Sequence, residues 1–159
     1  DGEIIIPVGD YSFGEKILSV TTATQRDLAG ILTVGHGDFY EGDRLNLGAE
    51  LVWRQSRFLE LSVAYERNDI SLPQGDFVTH LATLTTEVNF TPTLYWVNLL
   101  QYDNISEVVG INARLVWIPT AGQEALIVLN HSLEDRGRDN AFRSELNDVT
   151  IKLGYTFRF

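Results

Sequence analysis

The chain contains no cysteine and no run of about 20 consecutive apolar residues, the length that a membrane-spanning helix requires. Without cysteine, neither a disulfide framework nor a thiolate metal site can form. The missing apolar run argues against spanning helices only, because a spanning β-strand needs about 10 residues with every second one apolar. A mean hydropathy of -0.05 is therefore compatible with a membrane protein that crosses by strands.

Basic residues are scarce as well, since 12 Lys and Arg stand against 22 Asp and Glu, giving a net charge of -10. Binding to nucleic acid needs clustered Lys and Arg, and no basic stripe is present, so we expect no nucleic-acid partner. The length of 159 residues fits a single domain, 1–159. The chain starts at Asp1 with neither a Met nor a signal peptide, which indicates a processed form or part of a longer protein.

Two-residue alternation is what the sequence has in abundance. β-Branched and aromatic residues alternate with polar ones between Gly, Pro, Asn and Asp, and helical periodicity is nowhere sustained. The pattern predicts an all-β protein with strands at 16–24, 28–37, 43–54, 58–67, 77–90, 94–103, 107–118, 124–133 and 146–159. Residues 1–15 are expected to be an N-terminal edge strand or an extracellular segment. Residues 3–8 are the candidate tenth strand, which Pro7 would confine to an edge or a strand end.

The alternation separates an apolar face from a polar one. In residues 109–117 the apolar side carries Val109, Ile111, Ala113, Leu115 and Trp117, and the other side carries Gly110, Asn112, Arg114 and Val116. The polar sides hold small residues and charges of both signs, which suits a wet barrel interior or solvent. Eight charged residues are expected to line a lumen and to pair across strands: Glu50, Arg54, Glu60, Glu66, Glu87, Arg114, Lys152 and Arg158.

Connections and aromatic residues point to the same environment. Short turns are predicted at 25–27, 55–57, 91–93 and 119–123, a modest connection at 104–106, and longer ones at 38–42, 68–76 and 134–145. Short turns on one rim and longer loops on the other are typical of outer-membrane barrels, in which Trp and Tyr gather at both interfaces. We expect membrane-interface positions at Trp53, Tyr65, Phe90, Trp96, Tyr102, Trp117, Tyr155 and Phe157, with Tyr65 and Tyr102 at the longer-loop rim.

Catalytic or metal-binding groups do not converge in the sequence. Asn130, His131 and Ser132 are adjacent on one predicted strand, so their side chains alternate between faces and cannot form a triad by themselves. His36 and His80 are expected to lie outward near a rim. The inward carboxylates offer an acid pair with a raised pKa, but the inward Arg and Lys favour structural ion pairs. The acidic loops lack the ligand spacing of a calcium loop. We predict no enzymatic activity, no cofactor and no metal.

The last strand, VTIKLGYTFRF, resembles the C-terminal assembly signal of outer-membrane proteins. Its apolar positions are Ile151, Leu153, Tyr155, Phe157 and Phe159. The resemblance implies recognition by the outer-membrane barrel assembly machinery. The stretches "GDFYEGDR", "SVAYERNDISLPQGDF", "NFTPTLYWVNLLQYDN", "GINARLVWIPTAGQEALIVLNHS" and "LGYTFRF" are similar to the C-terminal barrel of an uncharacterised outer-membrane family. In that family a family-nine carbohydrate-binding-like domain, absent from this chain, precedes a much larger barrel. The resemblance implies a barrel but no defined activity.

These features predict an antiparallel up-and-down transmembrane β-barrel of about 8–10 strands in the bacterial outer membrane. Single-chain bacterial barrels have even strand numbers, so nine strands mean that 3–8 also pair, that one strand is false, or that the N-terminal part of a larger barrel is missing. We favour the last. The expected role is a pore, a passive transport element or a membrane anchor, with phospholipid and lipopolysaccharide as partners. The alternatives are an outer-membrane enzyme or ligand-binding barrel and a soluble lipocalin-like carrier.

Overall fold

The computed structural model describes Ile6, residues 8–135 and residues 142–156, and within this part the chain forms nine β-strands. They are β1 (Glu15–Thr21), β2 (Leu28–Phe39), β3 (Gly42–Ser56), β4 (Leu59–Leu72), β5 (Gly75–Thr91), β6 (Leu94–Asp103), β7 (Val108–Trp117), β8 (Gln123–Asp135) and β9 (Phe142–Tyr155). The all-β prediction is confirmed, and β6 has the predicted bounds. No helix in the described residues is long and apolar enough to cross a membrane.

The strands form one antiparallel sheet in which each strand pairs with its successor, from β1 at one edge to β9 at the other. The predicted up-and-down order is confirmed. Over the described residues, β1 and β9 do not pair with each other, so the sheet has two open edges and is not closed into a barrel. Because every step across the sheet reverses direction, β1 and β9 run the same way, and an antiparallel ladder cannot join them directly. A barrel closed within the described residues is therefore not formed.

Cross-strand register sorts the side chains into two continuous faces. Directly opposed residues in an antiparallel pair share a face, as Leu51 and Val63 do between β3 and β4. Carried across the sheet, this register defines an apolar face that includes Leu18, Leu32, Leu47, Leu51, Val63, Leu84, Leu100, Leu115, Ile127, Ile151 and Leu153. The other side, here called the polar face, carries the alternating residues.

The apolar face is the exposed one, in contrast to the usual arrangement in water. Along β3, the side chains of the apolar face are exposed from Leu47 to Trp53, whereas those between them are less so. Leu51 is 49% exposed and Val63 52% exposed, although both lie on inner strands of the sheet. Among the described residues the buried apolar positions are Ala29, Ile70, Leu72 and Val116. So small a buried set does not make a hydrophobic core for a chain of this length.

The strand ends define two rims. Rim A carries the connections 22–27, 57–58, 92–93 and 118–122, and rim B carries 40–41, 73–74 and 104–107. The predicted longer connections at 38–42 and 68–76 are wrong, because the paired strands continue into tight turns at 40–41 and 73–74. The predicted Pro-Gly turn is present, with Gly75 at φ 145° following it. Of the predicted connection 134–145, residues 136–141 lie outside the described residues, whereas 134–135 belong to β8 and 142–145 to β9.

A small aromatic cluster joins the segment before β1 to rim B. The Tyr40 ring packs in T-shaped geometry against the rings of Tyr11, Phe13 and Phe39, with centroid distances of 5.2, 5.6 and 4.9 Å. Desolvation, followed by the negative charge of Glu41, raises the pKa of the Tyr11 phenol above its ordinary value. The described residues before β1 are not a strand, and most of 3–8 lies outside the described residues.

Candidate functional site

The apolar face forms a band whose dimensions suit a membrane crossing. On β7 it runs from Val109 to Trp117, the length of about 9–11 residues that a tilted spanning strand needs. The three tryptophans of the chain, Trp53, Trp96 and Trp117, all lie on this face near rim A. Trp96 opposes Leu115, and Trp117 opposes Leu94 across the β6–β7 ladder. The band is therefore aliphatic at mid-height and aromatic at rim A.

Two further predicted interface residues, Tyr155 and Phe90, sit towards the same rim. Tyr155 ends β9 opposite Gln123, and Phe90 lies near the end of β5, where a register shift separates Asn89 from Thr91. Both aromatic side chains are exposed, as expected for residues at a strand end with no layer above them. Phe157 lies outside the described residues.

The predicted tyrosines of the opposite rim are placed differently from each other. Tyr102 lies one residue before the end of β6, whereas Tyr65 is near the middle of β4, because that strand continues to Leu72. The expected position of Tyr65 at a strand end is therefore wrong. Both tyrosines nevertheless oppose Ala82 in one row across the sheet, and the next residue of β4 on that face is charged, Arg67. On β4, the apolar band ends at Tyr65 although the strand does not.

The predicted charged residues of the described part share the polar face. Near rim A the register aligns Arg54, Glu60, Glu87 and Arg114 in one row, with Val97 between the last two. Arg54 Nε donates to Glu60 Oε2 at 2.8 Å, and its Nη1 donates to the carbonyl oxygen of residue 24 at 2.7 Å. This ion pair is half-exposed, so its contribution to stability is small. Glu87 directly opposes Glu60.

Glu50 and Glu66 lie further from rim A and accept hydrogen bonds from neutral groups. Ser62 Oγ donates to Glu50 Oε1 at 3.0 Å. Asn46 Nδ2 and Asn68 Nδ2 donate to Glu66 Oε1 at 2.9 and 3.1 Å. The carboxylates are held by cross-strand hydrogen bonds rather than as a close carboxyl pair, which favours the structural interpretation. Lys152 opposes Leu126 on the same face, and Arg158 lies outside the described residues.

Sequence reasoning missed the amide ladders that cross this face. Asn68 bonds Asn46 and Thr79 on the two neighbouring strands, at 2.9 and 3.2 Å. A second ladder joins Asn112 on β7 to Asn130 on β8, and Asn130 Nδ2 donates to Asp148 on β9 at 3.5 Å. The detectable signal was an asparagine at a polar-phase position on each of β3, β4, β7 and β8. Arg44, also missed, pairs with Glu15 at 2.9 Å.

The polar face contains two shallow concavities. One, of about 200 Å³, is lined by Thr33, Glu50, Glu66 and Thr83, by small residues of β3 and β4, and by the larger apolar residues Ile31, Tyr65 and Leu81. The other, of about 290 Å³, is lined on β6 to β8 by Gln101, Asp103, Asn112, Asn130 and Ser132, and it also includes the apolar residues Leu99, Val108, Ile111 and Leu146. Hydroxyl, amide and carboxylate groups in such hollows can hold water and small polar solutes.

The histidines do not gather into a catalytic or metal-binding group. His36, His80 and His131 lie on the apolar face, on different strands, and His36 and His80 are near rim B as expected. His131 Nδ1 bonds the Asn147 side chain, a partner on the neighbouring strand. No set of three or more His, Asp or Glu side chains that could hold a metal ion is found among residues 8–134, 142–144 and 146–156.

Part of the predicted assembly signal lies on the open edge of the sheet. Ile151, Leu153 and Tyr155 occupy the apolar face of β9, and Leu153 is 79% exposed. Phe157 and Phe159 lie outside the described residues. The free edge of β9 and its apolar side chains are the features that a strand-pairing partner would meet.

Comparison with known proteins gives no family for this chain: no family model, no curated protein and no solved structure matches it. The resemblance drawn from the sequence motifs therefore stays a prediction.

Proposed function

We propose that this chain forms part of a transmembrane β-barrel of the bacterial outer membrane and acts as a pore, a passive transport element or a membrane anchor. The observation that carries the proposal is the exposure of the apolar face. Leucine, isoleucine and valine side chains on eight neighbouring ladders have no covering layer, whereas charges and amides occupy the more enclosed face. Hydrocarbon tails would cover the apolar side and remove it from water.

The polar face supplies the complementary surface for a wet interior. Its polar side chains bond across the strands through Arg54, Asn68 and Asn112, and apolar side chains such as Leu81 and Leu99 lie between them. Small side chains on the same face leave the concavities described above. Such a lining suits water and polar solutes, and it also fits a barrel whose side chains fill the bore.

The open edges support membership of a larger barrel. Unpaired backbone groups on β1 and β9 would be costly in hydrocarbon, so each edge requires another strand. Because β1 and β9 run the same way, a wholly antiparallel barrel needs an odd number of strands added between them. We therefore propose further strands of the same protein, inserted by the barrel assembly machinery.

A soluble carrier would have the opposite arrangement, with the apolar face inside. Quenching of tryptophan fluorescence by brominated lipids distinguishes a membrane barrel from a soluble carrier. Trp53, Trp96 and Trp117 all lie near rim A on the apolar face, so in a membrane barrel they would contact lipid. In vesicles, bromines placed close to the headgroups should quench more strongly than bromines deep in the acyl chains. Trp53→Phe, Trp96→Phe and Trp117→Phe, made singly, should each remove part of the quenched signal. Absence of quenching by either lipid, with the protein left in the aqueous phase, would refute the proposal.

A further inference from the structure

The apolar face carries an open groove of about 550 Å³ between β1 and β4. Its walls include Val20, Leu32, Leu51, Val63 and Tyr65, and its floor includes Gly30 and Ala49. The remaining lining residues are Thr22, Ile31 and Glu50. The register places these side chains in two adjacent rows, and the small residues at Gly30 and Ala49 leave the depression between the larger ones. The lining is almost wholly hydrocarbon, so an acyl chain fits it and a polar ligand does not.

A polar cluster adjoins the groove on the side of rim B. It consists of Tyr65, Arg67, Asp69 and His80, all on the apolar face by register. Tyr65 Oη lies 2.6 Å from His80 Nδ1, and the two rings are stacked at a centroid distance of 6.0 Å. Arg67 Nε donates to Asp69 Oδ1 at 2.8 Å. Tyr65 belongs to both features, so the groove and the cluster are continuous.

The cluster presents donors of the kind that bind phosphate. Asp69 engages Nε of Arg67, and the guanidinium has two further NH₂ groups that suit a bidentate contact with phosphate oxygens. When the Tyr65 hydroxyl donates to Nδ1 of His80, Nε2 carries the ring proton and is a second donor. On β4 the cluster begins where the apolar band ends, although Leu47 on β3 still opposes Arg67. In the proposed barrel this level corresponds to the lipid headgroups.

From this combination we infer that the chain has a specific site for a phosphate-bearing lipid, with one acyl chain in the groove and the headgroup phosphate on Arg67 and His80. The inference rests on the proposed membrane location. It adds a defined site to a face that would otherwise contact lipid only non-specifically. The phosphate comes from a lipid and not from solution, because the groove anchors the acyl chain next to the donors.

Native mass spectrometry of the protein with added phosphatidylglycerol tests the site. A glycosyl diacylglycerol, which has acyl chains but no phosphate, serves as the comparison lipid. We expect one phosphatidylglycerol to be retained about tenfold more strongly than the glycolipid. Arg67→Gln should reduce the retention of phosphatidylglycerol to that of the glycolipid. Arg44→Gln makes the same charge change on the polar face and should retain the lipid as the unaltered protein does.

The groove has its own matched pair of variants. Ala49→Leu fills it with an apolar side chain and should weaken the retention of both lipids, whereas Ala113→Leu, outside the groove on the same face, should not. Equal retention of the two lipids by the unaltered protein, or variants that match their controls, would overturn the inference. Flotation with vesicles separates this failure from that of the proposed function: a protein that does not float refutes both, and one that floats with unaffected variants refutes the lipid site alone.

Discussion

Leu84 and Thr85 are neighbours in the sequence and lie on opposite faces of the central strand β5. Leu84 opposes Val63 and Leu100 in the apolar band, whereas Thr85 opposes Ser62 and Leu99 on the polar face. Leu84→Arg should reduce the free energy of unfolding in lipid by about 2–4 kcal/mol, because the charge enters hydrocarbon. Thr85→Arg should cost less, since the proposed barrel exposes that face to water. Urea unfolding in vesicles measures both, and equal costs would contradict the assignment of the faces.

Two asparagines give a second comparison at the scale of single residues. Asn68 bonds Asn46, Glu66 and Thr79, whereas Asn98 opposes Thr86 and Ala113 on the apolar face. Asn68→Leu should lower the free energy of unfolding by about 1–3 kcal/mol, because it leaves polar partners unsatisfied. Asn98→Leu should leave the free energy of unfolding unchanged or raise it, because it removes a polar group from the face that we propose to contact lipid. The same unfolding measurement applies, and a larger loss for Asn98→Leu would argue against lipid contact.

At the scale of elements, the 118–122 connection depends on the backbone of Gly122. This residue has φ +87°, and an added Cβ would lie 3.3 Å from the Cβ and carbonyl oxygen of Thr156. Gly122→Ala should therefore reduce the free energy of unfolding by about 1 kcal/mol or more. Gly110 is the matched control, since its nearest neighbour would be the Gln101 carbonyl oxygen at 4.0 Å. Gly110→Ala should change stability by less than about 0.5 kcal/mol, and comparable losses would contradict the backbone argument.

The extended hairpin of β4 and β5 shows how an element acquires a length that its composition does not suggest. Residues 68–76 combine polar side chains with a Pro and a Gly, which usually indicates a loop. In the sheet, Asn68 bonds Thr79, and Arg67 bonds Asp69, so the polar side chains are satisfied along the strands. Strand β4 therefore continues beyond the end of the apolar band at Tyr65, because it stays paired with β5 as far as Leu72 and Gly75.

At the scale of the whole molecule, the odd number of described strands leads to a testable prediction about closure of the sheet. In the protein inserted into lipid, β1 and β9 should not be direct neighbours. The chain has no cysteine, so any disulfide detected must join the introduced thiols. Ser19→Cys combined in turn with Asp148→Cys, Thr150→Cys or Lys152→Cys, all on the polar face, should give no intramolecular disulfide on oxidation.

The positive control for that experiment is Ser19→Cys with Thr33→Cys, which are directly paired between β1 and β2 and should cross-link readily. A strong disulfide between β1 and β9 of one chain would mean direct closure through a parallel pair and would contradict the added strands. A disulfide between two chains would mean that a second copy of the protein, rather than further strands of the same chain, pairs with the open edges.

The sequence by itself determined which side chains share a face. Residues 109–117 alternate strictly, and the sheet keeps Val109, Leu115 and Trp117 on one side, because the two-residue period of a strand is a local property of the backbone. The predicted lumen-lining charges of the described part were assigned to the opposite face for the same reason. The asparagines of the two ladders are also apparent in the alternating pattern. Their hydrogen-bond partners lie on other strands, so the pairing could not be predicted from local sequence.

Only the tertiary structure decided where the strands end, which residues oppose each other and whether the sheet closes. These features depend on pairing between segments far apart in the sequence, as in the contact of Asn68 with Asn46 and Thr79. Closure depends further on the number of strands, because antiparallel pairing permits a barrel only when the two edge strands run in opposite directions. Here β1 and β9 run the same way, so the described sheet stays open.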